Sequence, residues 1–168
     1  MPGKAMRQVK YAILISLVLA SSCGYSGRAL LPQHIKRICI PTFQNDTTRY
    51  GVDQTMTTTV TEAFISDGRL DVVSEREADA MLRGVVVKYE KGPLTFDRAQ
   101  TVDEFKIEVV VAVELEDLRE GKVLWKEDEF RAWKSYKEGG ADGGEDNALS
   151  AVAATLASDI LSRTLEGW

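Results

Sequence analysis

His34 is the only histidine in the chain and lies near the start of the folded part, so no histidine metal triad or histidine-centred catalytic set can be assembled. The glycine-rich run Gly139–Glu145 lacks the Lys-Ser/Thr ending of a phosphate loop. Asp142-Gly-Gly-Glu-Asp146 has oxygen donors of the calcium-binding kind without an EF-hand pattern, and it reads as a solvated loop in which Asp146 or Asn147 caps the following helix. The other carboxylates fall on strand and turn positions that face outward, which gives no support to a paired acid/base site. No cofactor or metal is called for, and the chain reads as non-enzymatic. One segment does combine chemistries: Trp125, Phe130, Trp133 and Tyr136 are interleaved with Lys126, Arg131, Lys134 and Lys137. It is either a contact surface, with Trp125, Arg131, Trp133, Lys134 and Lys137 as the contacting residues, or a strand with core aromatics and solvated lysines. A second basic group, Lys88, Lys91 and Arg98 around Gly92-Pro93, reads as solvated.

The remaining reactive groups are two thiols. Lys4, Arg7 and Lys10 precede the apolar run 11–20, which is too short for the ~20 residues that span a bilayer, and Ser21, Ser22 and Cys23 follow. This is the layout of a lipoprotein signal peptide: cleavage between Ser22 and Cys23 and acylation of the Cys23 thiol, with Ala20 where leucine is favoured. Two or three acyl chains, at about 0.8 kcal/mol per buried CH₂, anchor a protein permanently. The competing reading is a secreted protein in which Cys23 pairs with Cys39. Gly24 after the cysteine, in place of an aspartate, points to the outer membrane. Cys39, between Ile38 and Ile40, reads as a small buried core residue.

Removing residues 1–22 leaves 18 basic against 26 acidic residues, a formal charge of −8. So acidic a chain has no electrostatic footprint for nucleic acid, and an anionic ligand must be met by a local cluster.

These groups must be positioned by a single domain over residues 35–168, after a tether over 23–34. Ile35–Phe43 reads as one short strand, ended by Pro41 and placed at a sheet edge or end, and Asn45–Thr48 as a turn. Val52, Met56, Val60 and Phe64 form one helical stripe closed by Gly68, with a threonine-rich centre that packing must hold. Leu70–Val73 is a short strand. Met81, Arg83, Val85, Val87 and Tyr89 fall on one side of the next strand and Leu82, Gly84 and Val86 on the other, until Gly92-Pro93 breaks it. Phe105 to Leu115 is the clearest strand, its apolar odd positions alternating with Lys106, Glu108, Val110, Ala112 and Glu114; Val109 and Val111 face inward and Lys106, Glu108 and Glu114 outward, so that Glu108→Lys should be nearly silent. Glu120-Gly121 turns the chain into a strand that runs irregularly to Trp133 and carries a bulge or leaves the sheet. Leu149, Val152, Leu156, Ile160 and Thr164 mark a last helix ending at Gly167. The order argues an α+β two-layer sandwich, two helices on one face of a mainly antiparallel sheet of about four to five strands.

Cys23-Gly24-Tyr25, Leu31-Pro32, Ile40-Pro41-Thr42-Phe43-Gln44-Asn45, Asp67-Gly68-Arg69-Leu70, Ala78-Asp79-Ala80 and Pro93-Leu94-Thr95-Phe96-Asp97 occur in that order before the long alternating strand. Together they resemble the LptE-like family of small lipoproteins of the lipopolysaccharide-assembly translocon. The resemblance implies two helices on a sheet, an outer-membrane location, and a role as the plug-like partner of a large outer-membrane β-barrel that receives lipopolysaccharide. A periplasm-facing lipoprotein serving another envelope machine, of the secretion-channel pilot type, and a small carboxylate hydrolase are the competing readings. On the family reading, the Trp125–Lys137 segment would meet barrel wall or lipid A.

Overall fold

A computed structural model describes residues 31–96, 98, 101–139 and 143–167. The signal peptide, Ser22, Cys23 and most of the tether lie outside the described residues, as does most of Gly139–Asp142.

Strands β1 (Arg37–Cys39), β2 (Gln44–Asn45), β3 (Asp71–Val72), β4 (Ala80–Phe96), β5 (Val102–Asp117) and β6 (Lys122–Tyr136) form one sheet, with helices α1 (Val52–Asp67) and α2 (Gly144–Glu166). The order is β3-β1-β4-β5-β6, with β2 also on β4. The α+β expectation holds, with a refinement: six strands form a mixed sheet, in which β1 and β2 run parallel to β4 while β4, β5 and β6 are antiparallel.

Both helices lie on one face. Val52, Met56, Val60 and Phe64 from α1, and Leu149, Val152, Leu156 and Ile160 from α2, close over Ile107, Val109, Val111, Val113 and Leu115 of β5. Gly68 caps α1 in the left-handed conformation, its N–H on the Phe64 carbonyl at 3.1 Å. In the threonine-rich centre, Thr57 donates its hydroxyl to the Asp53 carbonyl at 2.6 Å and accepts from the Phe43 N–H at 2.9 Å. This holds the buried Phe43 ring flat against Gly84, where a Cβ would sit 2.2 Å from the ring.

Four expectations change. The segment Ile35–Phe43 is not one edge strand: Pro41 separates β1 from β2, and β1 is interior, between β3 and β4. Gly92-Pro93 does not break β4, which continues to Phe96 because Gly92 and Pro93 pair with Lys106 and Phe105 of β5. A register shift between Val86 and Lys88 reverses the alternation, so Tyr89 falls on the helix side with Leu82 and Val86 instead of with Arg83. The expected cap of α2 also differs: Gly143 is the N-cap, and Asp146 and Asn147 lie within the first turns.

Candidate functional site

β6 alternates, and that decides which of its side chains meet. Arg131 and Trp133 pair with Val110 and Glu108 on the face of the sheet away from the helices. Trp125 pairs with Leu115 on the helix side, packed edge-on against Phe130 at 6.1 Å. Lys134 shares the helix-side register of Ile107, and its side chain is exposed. Lys137, just beyond β6, holds Asp103 at 3.0 Å. Of the five expected contact residues the fold therefore brings Arg131 and Trp133 together and sets Trp125, Lys134 and Lys137 apart from them.

What Arg131 and Trp133 join is a cluster centred on Glu108. Lys106, two residues earlier on the same face of β5, reaches it at 2.8 Å; Arg131 reaches it from β6 at 3.1 Å and Lys88 from β4 at 3.6 Å. Glu108 is buried at 9% exposure, beside the buried Val110 on the face of the sheet away from the helices. The hydrogen bond from Lys106, followed by the charges of Lys106, Arg131 and Lys88, outweighs burial and holds its carboxyl below the ordinary range. Lys88 also holds Glu90 at 2.7 Å, which raises its pKa, and Arg131 touches Glu129 at 3.4 Å. Both rim carboxylates are well exposed. Lys106 lies 5.1 Å above the ring of Trp133, itself 56% exposed. Three cations thus converge on one buried carboxylate beside an open indole, two of them also paired with the exposed Glu90 and Glu129 at the rim. Such a surface can take an anionic group on the cations and an apolar or sugar face on Trp133.

Sequence reasoning missed Lys88, Lys106 and Glu108. The polar side of β5 was visible, but only the β4–β5–β6 register shows that three strands deliver cations to one point. Lys91, grouped with Lys88 in the sequence, is on the opposite face after the β4 bulge. There it holds Glu145 at 2.9 Å and lies over the Phe105 and Tyr136 rings at 4.9 and 5.5 Å. Glu145 also accepts from Tyr89 at 2.7 Å and Tyr136 at 3.3 Å, and Arg49 approaches it at 3.3 Å. Burial and this carboxylate push the Tyr89 hydroxyl up to about 12. Arg49 also holds Asp146 at 2.9 Å, so both carboxylates are bound to cations of the chain itself, and this joint fastens the start of α2 to β4 and β6.

The remaining reactive groups are structural. His34 bonds Asp117 at 2.8 Å, and Asp117, fully buried, also accepts the N–H groups of Arg119 and Glu120. Burial pushes that carboxyl up, and these bonds, with His34, more than offset it. Cys39 is buried, and burial pushes its thiol up. Among the described residues no group of three or more His, Cys, Asp or Glu could hold a metal, and no helix is long and apolar enough to cross a membrane.

Comparison with known proteins bears on this geometry. No curated protein matches the chain in sequence. Among solved structures, the PelC dodecamer from Paraburkholderia phytofirmans aligns with a TM-score of 0.53 at 20% identity, covering 78% of this chain and 89% of that one. A minor lipoprotein from Acinetobacter baumannii aligns with a TM-score of 0.52 at 18% identity, covering 77% and 91%. Lipoprotein B from Nitrosomonas europaea aligns with a TM-score of 0.55 at 22% identity, covering 84% and 90%. At these identities the likeness is one of fold. The sequence model of the LptE lipopolysaccharide-assembly family matches residues 35–164, and the chain belongs to that family.

Proposed function

We propose that the protein is an outer-membrane lipoprotein, anchored through Cys23 on the periplasmic side or within a barrel lumen, that supports lipopolysaccharide assembly as the small, non-enzymatic partner of a large β-barrel translocon. Membership of the LptE family carries the process. The convergence of Lys88, Lys106 and Arg131 on Glu108 beside Trp133 supports the ligand: lipid A phosphates on the cations, with sugar or acyl contact on the indole. The signal layout of residues 1–22 and the Ser22–Cys23 junction support the anchor, and residues 23–34 the tether. Leu31 packs against the core and His34 bonds Asp117 at the end of β5, which agrees with a tether that joins the domain there.

Pull-down from solubilised outer membrane tests the partnership. Recovery of a large translocon-type barrel is the expected result, and recovery of a secretin-like ring without such a barrel contradicts it. Metabolic labelling with a fatty acid tests the anchor: label is lost in Cys23→Ser, and normal incorporation there overturns the lipidation reading.

A further inference from the structure

On the helix side, at the end of the sheet near the β5–β6 turn, a hollow of about 390 Å³ opens between α2 and β6, lined by Glu127, Phe130, Asp159, Ser162 and Arg163. Two features of the chain build it. Asp159, Ser162 and Arg163 are spaced i, i+3 and i+4 and so share one face of α2. Glu127 and Phe130, three residues apart, would point to opposite faces of a regular strand. The bulge opposite Val111 and Val113 inserts an extra residue and brings both to the helix side.

The polar groups of this hollow differ from the carboxylates described above. Glu145, Glu108, Asp79 and Asp117 are each tied to cations or amides. Here the Arg163 Nε is buried without a hydrogen-bond partner, and no ion pair joins Arg163 to Glu127 or Asp159. Outside the lining but packed edge-on against Phe130, the Trp125 indole N–H is also buried and unpartnered, and it reports on that ring. A buried donor left unmatched costs free energy, so a hollow that keeps the Arg163 Nε–H beside the Glu127 and Asp159 carboxylates is shaped for a ligand that both accepts and donates.

We propose that this hollow is a binding subsite for the uncharged, hydroxyl-rich part of a glycan. A hydroxyl donates and accepts at once, so neighbouring ring hydroxyls can give hydrogen bonds to Glu127 and Asp159 while receiving them from Arg163 and Ser162. The apolar face of the sugar ring then rests on Phe130. A phosphate would meet two carboxylates against one guanidinium, and a hydrocarbon would leave every polar group unmatched. The volume falls within the range of small-molecule sites. This subsite is on the opposite face of the sheet from the Glu108 cluster and does not depend on the lipopolysaccharide reading.

The experiment uses the full ¹⁵N-labelled chain in phosphocholine micelles, which carry no sugar headgroup. It is titrated separately with maltose, lactose, the N-acetylglucosamine disaccharide and inorganic phosphate, following the Trp125 indole and Arg163 Nε–H resonances. At least one disaccharide should shift both resonances saturably in the millimolar range, with phosphate shifting neither. Asp159→Asn and Arg163→Gln should each weaken that binding about tenfold, the loss of one charge-assisted hydrogen bond, with unchanged circular dichroism. Arg131→Glu should leave it intact, whatever becomes of lipopolysaccharide binding. Silence with all three disaccharides, a response to phosphate instead, or equal binding by both variants overturns the proposal.

Discussion

The two faces of the sheet are built from the same three long strands but held by different physics. On the covered face Ile107, Val109, Val111, Val113 and Leu115 are almost fully excluded from water beneath two helices. On the open face, Lys106, Glu108, Glu114 and Arg131 stand among ion pairs, with Met81 and Val110 buried on the same face. The covered face derives its strength from apolar burial, which is non-directional and large. The open face spends charge pairs worth little in stability, which leaves its side chains free to be re-partnered by a ligand. The difference between the faces is a difference between what folds the domain and what it offers to others.

Substitutions that force one face to behave like the other test this. The largest effect is expected from Val111→Asp, which buries an unpaired carboxylate and should cost about 4 kcal/mol or more, unfolding the domain in a urea titration. Next comes Gly84→Ala: the new Cβ meets the Phe43 ring at 2.2 Å, and the overpacking should cost about 1–3 kcal/mol, read as a lower urea midpoint. On the open face Glu108→Gln should cost only about 1 kcal/mol. Sequence reasoning expects Glu108→Lys to be nearly silent, but the buried position of Glu108 among three cations makes that change a fourth positive charge at one point, and it should destabilise more than the glutamine does.

The pH dependence follows from the same carboxylate. Lys106 first, then Arg131 and Lys88, hold Glu108 below its ordinary value, so its contribution is present above the unfolded-state pKa and is lost as pH falls through the folded-state one. Wild type should therefore lose more stability than Glu108→Gln between about pH 5 and pH 3. The smallest effect is expected from Lys137→Ala, whose exposed pair with Asp103 should be worth no more than about 0.5–1 kcal/mol.

The covered face was legible in the sequence because its signals are periodic. The stripe Val52-Met56-Val60-Phe64 and the alternation of Phe105 to Leu115 each state a helix or strand and its buried side without reference to the rest of the chain. The β6 bulge showed in that strand's irregular alternation, but the β4 bulge was not legible, because one extra residue there moves Tyr89 and Lys91 across the sheet while leaving composition unchanged. Pro41 and Gly92-Pro93 misled in opposite directions. The first separated two strands that local pattern joined, and the second sat within a strand because its partner on β5 completes the pairing. The open-face cluster needed register as well as pattern: Lys88, Lys106 and Arg131 are far apart in sequence and meet only where three strands align. For the same reason the apparent richness of Trp125 to Lys137 was divided between two faces.

Lipopolysaccharide binding by two charge-reversed forms of the soluble mature domain tests the central claim most directly. One carries Lys106→Glu and Arg131→Glu on the open face, and the other carries Lys134→Glu and Lys137→Glu, the same charge change away from that cluster. With circular dichroism unchanged in both, the open-face pair should weaken binding at least about tenfold, the loss of one or two charge-assisted contacts, and the control pair should leave it near the wild-type value. Equal binding by the two forms, or a loss confined to the Lys134 and Lys137 form, would contradict the assignment of the Glu108 cluster as the anion-binding surface.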